Sequence, residues 1–191
     1  MSRRTQQERR ETTHAALIAA ARKCFGELGY EATFVGAVAA QAGVTTGAFY
    51  HHFPQGKPQL FEAVVMAELA RLSAVIAAPP RGAGDGLAAR LEAYFDIAVE
   101  PIVYRITLED APAVLGLKRW REIEYAHTTR LIEADLARPG AAGGLPPRML
   151  AAAIYGACCE ATILIVEADD KAGAKRDAVQ VVLALLTGVR R

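Results

Sequence analysis

Residues 33–53 read TFVGAVAAQAGVTTGAFYHHF, the most informative stretch of the chain. It predicts two short helices, over about residues 34–42 and from residue 45 or 46 to residue 52, with a threonine able to cap each of them. Gly43 lies between them, where a tight turn needs a residue in the left-handed region. This pattern is typical of a helix-turn-helix, whose second helix is free to enter a DNA major groove.

The second helix carries side chains suited to DNA. Hydroxyl groups at its start can donate to phosphate, and small residues in its first turn permit close approach to base edges. A phenol and an imidazole follow one turn later, and a lysine begins the next helix. Each of these types also occurs on ordinary surfaces, so their joint spacing carries the argument. The residues are Thr45, Thr46, Gly47, Ala48, Tyr50, His51 and Lys57.

Helical signals dominate the rest of the chain. Apolar residues at spacings of three and four predict a helix over residues 9–28 that ends at Gly29. A long helix is expected over 57–77, followed by a linker at 78–86. We further predict helical stripes from Leu87 to Ala98 and from Trp120 to Ala134, a surface loop at 138–147, and closing helices at about 147–168 and 173–188. The prediction is an all-α protein of about nine helices.

Composition excludes several classes of protein. Hydrophobic residues make up 52% of the chain, enough for a real core, so wholesale disorder is excluded. The cysteines Cys24, Cys158 and Cys159 have no CxxC spacing, so we expect a reducing, cytoplasmic setting and no structural metal. No motif calls for a cofactor. Residues 1–60 carry seven Lys or Arg against four Asp or Glu, and their basic start (Arg3, Arg4, Arg9 and Arg10) is either a polyanion contact or a solvated tail.

Three stretches carry a specific resemblance: AARKCFGELGYEAT (20–33), VAAQAGVTTGAFYHHF (38–53) and GKPQLF (56–61). They resemble the N-terminal domain of the TetR-type, or tetracycline-repressor-like, transcriptional regulators. The resemblance covers about a quarter of the chain and implies a DNA-binding domain over residues 1–56. It also implies a helical domain over 57–191 that binds an effector and dimerises. By position, the residues implied to touch DNA are Thr33, Thr45, Thr46, Gly47, Tyr50, His51 and Lys57.

The chain departs from the family pattern at two positions of the first short helix. Phe34 stands where the family commonly has a hydroxyl residue, and Gly36-Ala37-Val38 replaces its x-Asp-Ile sequence. A further departure lies beyond the two short helices, where Gly56-Lys57-Pro58 replaces the usual Ser-Lys-Glu. Phe34 removes a hydroxyl contact to phosphate, and Gly36 weakens the helix. A protein of this fold with lost or weak DNA binding therefore remains an alternative. An all-α enzyme is disfavoured, because no nucleophile motif or convergent catalytic set is present.

Residues 149–166, MLAAAIYGACCEATILIV, contain one charge, Glu160. A central carboxylate is costly in lipid, so we expect a helix buried between helices or subunits and no membrane partner. The resemblance implies that the last two helices pair with their copies in a homodimer. The predicted interface residues are Ala157, Ala161, Leu164, Val179, Val182 and Leu186. Cys158 and Cys159 are small apolar filler or, on a dimer axis, a cross-link.

Aromatic residues between 87 and 166 outnumber what a bundle of this size needs, which predicts a cavity for a small apolar or amphipathic effector. His127 is read either as a packed histidine or as an effector contact, and Glu160 either as an interface carboxylate or as a pocket group. The predicted pocket residues are Tyr94, Phe95, Tyr104, Trp120, Ile123, His127, Tyr155 and Glu160. The sequence thus predicts a ligand-responsive, homodimeric repressor of a near-palindromic double-stranded DNA operator, with no enzymatic activity.

Overall fold

The computed structural model describes residues 5–77 and 86–188, and every regular element within these ranges is helical. Arg3, Arg4 and positions 78–85 of the predicted linker lie outside the described residues. Nine helical runs are present in the described ranges, and the all-α prediction is confirmed. They are α1 (Gln6–Ala32), α2 (Val35–Gln41), α3 (Thr46–His52), α4 (Lys57–Ala77), α5 (Gly86–Ala98), α6 (Pro101–Tyr104, Arg105–Asp110 and Ala111–Leu115 in series), α7 (Leu117–Glu124, Tyr125–Thr129 and Arg130–Leu136 in series), α8 (Pro147–Glu167) and α9 (Lys171–Gly188).

A capping box sets the start of helix α1, and a glycine sets the position of its bend. Thr5 and Glu8 form a reciprocal capping box: the Thr5 amide donates to the Glu8 carboxylate at 2.7 Å, and the Glu8 amide donates to the Thr5 hydroxyl at 3.2 Å. Gly29 has a φ of +79° and interrupts the helical geometry, as predicted. The last turn, up to Ala32, therefore takes a new direction.

The described residues form two compact units. One contains 5–67 and 101–118, and the other contains 68–77, 86–100 and 119–188. Helix α4 runs without a break from the first unit into the second. The predicted functional division between residues 1–56 and 57–191 stays a prediction, because compactness alone assigns no function.

Aromatic rings fill the core of the first unit. Phe25 of α1 meets Phe61 of α4 edge to face, with 5.0 Å between ring centroids, and Tyr30 meets Phe61 at the same distance. Phe49 of α3 packs against Phe53 at 5.7 Å, and both are buried. The contact of Phe49 with Phe53 holds α3, and α2 packs on α1 and α3 through its buried residues Val38 and Ala39. Both short helices have too few residues to be stable alone.

Helix α6 belongs to the first unit because it packs on α1. Arg105 donates to the backbone carbonyls of Gly26 and Glu27 at 3.3 and 3.0 Å. Asp110 accepts from the Tyr30 amide at 2.9 Å. A Cβ placed at Gly26 would lie 2.6 Å from side-chain carbons of Ile102, so only glycine permits this approach of the two helices.

The second unit is a bundle of α5, α7, α8 and α9 together with the end of α4. Helix α8 packs against α7 and α9, and α9 packs against α5. Lys175 of α9 forms an ion pair with Asp96 of α5 at 2.6 Å. The middle segments of α6 and α7 are π-helical, and in α7 the Thr128 hydroxyl donates to the Glu124 carbonyl at 2.7 Å within this wider turn.

Candidate DNA-binding surface and ligand cavity

The turn between α2 and α3 has the predicted helix-turn-helix geometry. Gly43 has a φ of +69°, in the left-handed region that glycine adopts without strain. Thr45 is the N-cap of α3, and its hydroxyl oxygen accepts from the Ala48 amide at 3.1 Å. Phe49 is fully buried and anchors α3. The opposite side of α3 is therefore left facing solvent.

Most of the predicted DNA contacts lie on this solvent-facing side of α3. The Thr45 hydroxyl uses an oxygen lone pair for the cap, so its O–H group stays free to donate. The Tyr50 ring packs edge-on against Phe49 with 5.1 Å between centroids, which holds the phenol while 49% of the residue remains exposed. The exposed predicted residues are Thr45, Thr46, Gly47, Tyr50 and His51.

Thr33 is placed differently from these residues. It is 1% exposed, and its hydroxyl donates to the Gly29 carbonyl at 2.8 Å. Its side chain therefore closes the end of α1. The predicted threonine cap of α2 is wrong, because Phe34 is the N-cap of that helix. Because its hydroxyl is enclosed and already donates, Thr33 is not among the DNA contacts that we propose.

Lys57 is half-buried at the start of α4 and contacts the end of α1. Its ammonium donates to the carbonyls of Tyr30 at 3.0 Å and Glu31 at 3.4 Å, and it lies 4.2 Å from the centroid of the Tyr30 ring. The Tyr30 carbonyl also accepts from the Thr33 amide at 3.2 Å, so Lys57 adds a second bond to it. The last carbonyls of a helix lack partners within the helix, which leaves them available to such a side chain. An ammonium has three donors, so one N–H remains for a phosphate.

Sequence reasoning missed a groove between the start of α1 and the end of α3. The His14 ring stacks on Phe53 with 4.9 Å between centroids. Burial lowers the pKa of His52 below its ordinary value, and the nearby His14, His51 and Arg10 lower it further. The basic arm was visible in the sequence, but nothing there paired it with residues 40 positions later. The groove is lined by Gln6, Gln7, Arg9, Arg10, Glu11, Thr13, His14, His51 and His52.

The second unit contains a cavity of about 160 Å³. Tyr94 of α5 and Tyr155 of α8, both in the predicted pocket, line it. Arg90 and Asp135 are its charged lining residues, and the remainder of the lining is mainly aliphatic. The full lining is Ile76, Leu87, Arg90, Leu91, Tyr94, Ile132, Asp135, Leu136, Ile154, Tyr155, Cys158 and Leu186.

The other predicted pocket residues lie elsewhere. Phe95 and Ile123 are buried core residues. Tyr104 belongs to the first unit, and Glu160 is exposed on α8. Trp120 and His127 are half-buried on α7 and do not line the cavity, although the His127 carbonyl accepts from the Ser73 hydroxyl at 2.6 Å.

A buried carboxyl group lies behind the cavity wall. Glu124 is 6% exposed, and its carboxyl accepts from the Tyr155 hydroxyl at 3.2 Å. Burial raises its pKa from the ordinary 4.5 to about 7, although the hydrogen bond from Tyr155 and the charge of Arg121 oppose this shift. Burial likewise raises the pKa of Cys158 to about 12, so this thiol is an inert lining group at neutral pH.

Helices α8 and α9 present large apolar side chains to solvent: Met149, Leu164, Val181 and Leu185. Ala157 and Ala161 are half-buried beside this surface. Val179, Val182 and Leu186 instead face inward and are buried within the chain, which differs from their predicted place in an interface. Helix α9 is apolar on two faces. The face with Val179, Val182 and Leu186 packs within the unit, and the face with Val181 and Leu185 is exposed.

Among the described helices, only α8 has the length and apolarity to cross a membrane. Its mean hydropathy is 2.0 over an 18-residue window, and 33% of that window is buried within the chain. The core helix of a soluble protein meets the same criteria. This is therefore weak evidence for a membrane span.

Together, the helix-turn-helix and the all-α second unit are typical of helical DNA-binding regulators. Comparison with known proteins identifies the family within this class. Residues 17–64 match the model of the bacterial regulatory proteins of the tetR family. Residues 84–189 match the tetracyclin repressor-like C-terminal domain. The chain is 30% identical over 135 residues to the Transposon Tn10 TetC protein of Escherichia coli, an alignment that covers 70% of this chain and 68% of that protein.

Solved structures agree with these matches. A TetR-family transcriptional regulator from Pectobacterium atrosepticum is 38% identical, with a TM-score of 0.68 over 97% of each chain. RolR in complex with resorcinol is 19% identical and shares the fold, with a TM-score of 0.69 over 97% of this chain and 94% of that one. The chain belongs to the TetR family of bacterial transcriptional regulators.

Proposed function

We propose that the protein is a homodimeric repressor that leaves a near-palindromic DNA operator when a small organic effector binds its second unit. The observation that carries this proposal is the exposed side of α3, where Thr46, Tyr50 and His51 face solvent while Phe49 holds the helix from behind. Two such helices related by a two-fold axis would read the two halves of the operator.

Phosphate contacts flank the proposed reading helix. The third donor of Lys57 supplies one, and Arg9 and Arg10 in the groove beside His51 supply others. These contacts fix the register of the protein on DNA but do not read its sequence. Binding is therefore expected to weaken steeply with salt.

A second copy of this chain is the proposed occupant of the exposed apolar surface of α8 and α9. Met149, Leu164, Val181 and Leu185 would be buried there, with Ala157 and Ala161 allowing the helices to approach. A two-fold dimer uses the same patch on both subunits, so a self-complementary apolar face suits it. This interface also gives the paired recognition helices that a palindromic operator requires.

The cavity of about 160 Å³ in the second unit is the proposed effector site. An effector can act only by binding one conformation better than the other. Helix α4 offers a continuous covalent route, since it begins at Lys57 and ends at Ala77, and Ile76 lines the cavity. Within this proposal the protein is a cytoplasmic regulator with neither a catalytic centre nor a cofactor.

The alternative is a TetR-family fold whose DNA binding is lost or weak, and two positions favour it. Phe34 is 73% exposed and is the N-cap of α2 with no side-chain cap bond. Gly36 is exposed in the same helix, with no neighbouring atom within 4 Å of a Cβ at that position. Both reduce the stability of the helix that supports α3.

A gel shift on the DNA flanking the gene for this protein separates the two candidates. The proposed repressor retards this DNA at low salt, and Thr46→Ala changes its preference at particular base pairs. Ala134→Arg serves as a surface control, because Ala134 is exposed on α7, away from α3. Retardation no stronger than that of unrelated DNA would favour the alternative.

A further inference from the structure

We propose that the cavity of the second unit takes a small monocarboxylate with a ring-sized apolar body, and that Arg90 binds its carboxylate. This inference rests on the proposed ligand-responsive function and adds the chemistry of the ligand. Three observations carry it: the volume of the cavity, the state of its two tyrosines, and the difference between its two charged groups.

The cavity volume limits the apolar body of the ligand to about the size of one ring. The cavity measures about 160 Å³. An engineered apolar cavity of about 150 Å³ holds benzene. The aliphatic side chains of Leu87, Leu91, Ile132 and Ile154 would surround such a body.

The tyrosines contribute ring surface to the cavity lining, and the Tyr155 hydroxyl is already engaged. Tyr155 donates to Glu124 at 3.2 Å. Tyr94 lines the same cavity and is 4% exposed. The inner part of the site therefore suits an apolar group, and a polar ligand group belongs at Arg90 or Asp135.

Arg90 and Asp135 differ in the hydrogen-bond and ion-pair partners that they already have. Asp135 pairs with Arg138 at 2.9 Å. Arg90 donates to two backbone carbonyls, those of Gly86 at 3.2 Å and Ile76 at 3.3 Å, and the described part of the chain holds no carboxylate in an ion pair with it. A guanidinium has five N–H donors, so Arg90 keeps donors for an anion. The site therefore selects an anion over a cation.

The test uses three probes of nearly equal shape and different charge: benzoate, benzamide and benzamidine. Calorimetric titration of the full chain at neutral pH should show benzoate binding at least about tenfold more tightly than benzamide, and benzamidine most weakly. Arg90→Gln should abolish the preference for benzoate over benzamide. Arg130→Gln is the matched control, because Arg130 is exposed on α7 and does not line the cavity.

Asp135→Asn gives a second, independent arm, which is needed because Arg90 also satisfies helix carbonyls and its variant could fail to fold. Removing this negative charge should tighten benzoate binding several-fold and leave benzamide binding unchanged. Equal affinity for benzoate and benzamide, or no binding of any probe, would overturn the inference. Benzoate binding with the expected profile but no change in operator affinity would uphold the inference and count against the proposed ligand-responsive function.

Discussion

The ammonium of Lys57 lies 4.2 Å from the centroid of the Tyr30 ring and donates to the carbonyl of the same residue at 3.0 Å. It thus ties the start of α4 to the end of α1, directly after the bend at Gly29. A lysine expected from the sequence to touch DNA also stabilises the unit that carries the recognition helix.

Lys57→Met should therefore have two separate effects. Losing the carbonyl bonds and the cation–π contact should lower the free energy of unfolding by about 1–2 kcal/mol. Losing one phosphate contact in each subunit, two in the proposed dimer, should reduce the slope of log affinity against log salt by about 1.8. Urea unfolding and salt-dependent gel shifts measure the two effects, with the exposed Lys118→Met as control. An unchanged salt slope would leave Lys57 with the structural role alone.

Two glycine-to-alanine changes should have opposite effects on the free energy of unfolding. At Gly26 the new Cβ would meet Ile102 at 2.6 Å, so Gly26→Ala should cost about 1–3 kcal/mol through overpacking between α1 and α6. At Gly36 the Cβ would enter open space within a helix, so Gly36→Ala should stabilise by about 0.5–1 kcal/mol. Thermal or urea unfolding compares the two variants, and equal shifts would contradict this account.

Phe34→Thr should strengthen both the fold and DNA binding. Phe34 is the N-cap of α2 without a side-chain cap bond, and a hydroxyl there should add about 1 kcal/mol to the free energy of unfolding. A threonine also supplies a donor for phosphate on an exposed position. Phe34→Ala is the control, because it removes the ring without adding the hydroxyl. If alanine and threonine act alike in gel shifts, the hydroxyl has no part in binding.

Ala161→Arg should disrupt the proposed dimer. The change would bury an unpaired charge against the partner subunit at a cost of several kcal/mol. Sedimentation should then find a monomer, whereas Ala134→Arg, on the exposed side of α7, should leave the oligomeric state unchanged. A soluble Ala161→Arg dimer would put the interface on another face.

Local signals allowed the sequence to predict the helix-turn-helix closely. Gly29 and Gly43 have the positive φ values that a helix end and a tight turn need, and Thr45 caps α3. Helix α4 covers Lys57–Ala77, the range expected from the sequence. Each of these features depends on residues within a few positions of one another.

Long-range packing was beyond reach from the sequence. The placement of α6 in the first unit depends on Arg105 and Asp110 meeting the backbone of α1, about 80 positions away. Tyr94 and Phe95 are adjacent and both apolar, yet one lines the cavity and the other is core. Helix α9 carries apolar residues on two faces, so the sequence does not determine which face turns inward. The sequence therefore predicts Val182 in an interface, whereas the structure buries it within the chain.

Glu124→Gln should change how stability depends on pH. In the folded protein burial raises the pKa of Glu124 to about 7, from an ordinary value of 4.5. The native state therefore holds the proton more tightly, so this contribution to stability is complete below pH 4.5 and is lost as the pH rises through about 7.

Glutamine stays neutral and keeps an oxygen that can accept from Tyr155. The variant should match the wild type near pH 4 and exceed its free energy of unfolding by up to about 3 kcal/mol above pH 8. Urea unfolding at a fixed protein concentration across this range measures the difference, and Glu122→Gln, at an exposed site paired with Arg119, is the control. A difference that stays constant with pH would show that Glu124 does not titrate between these values.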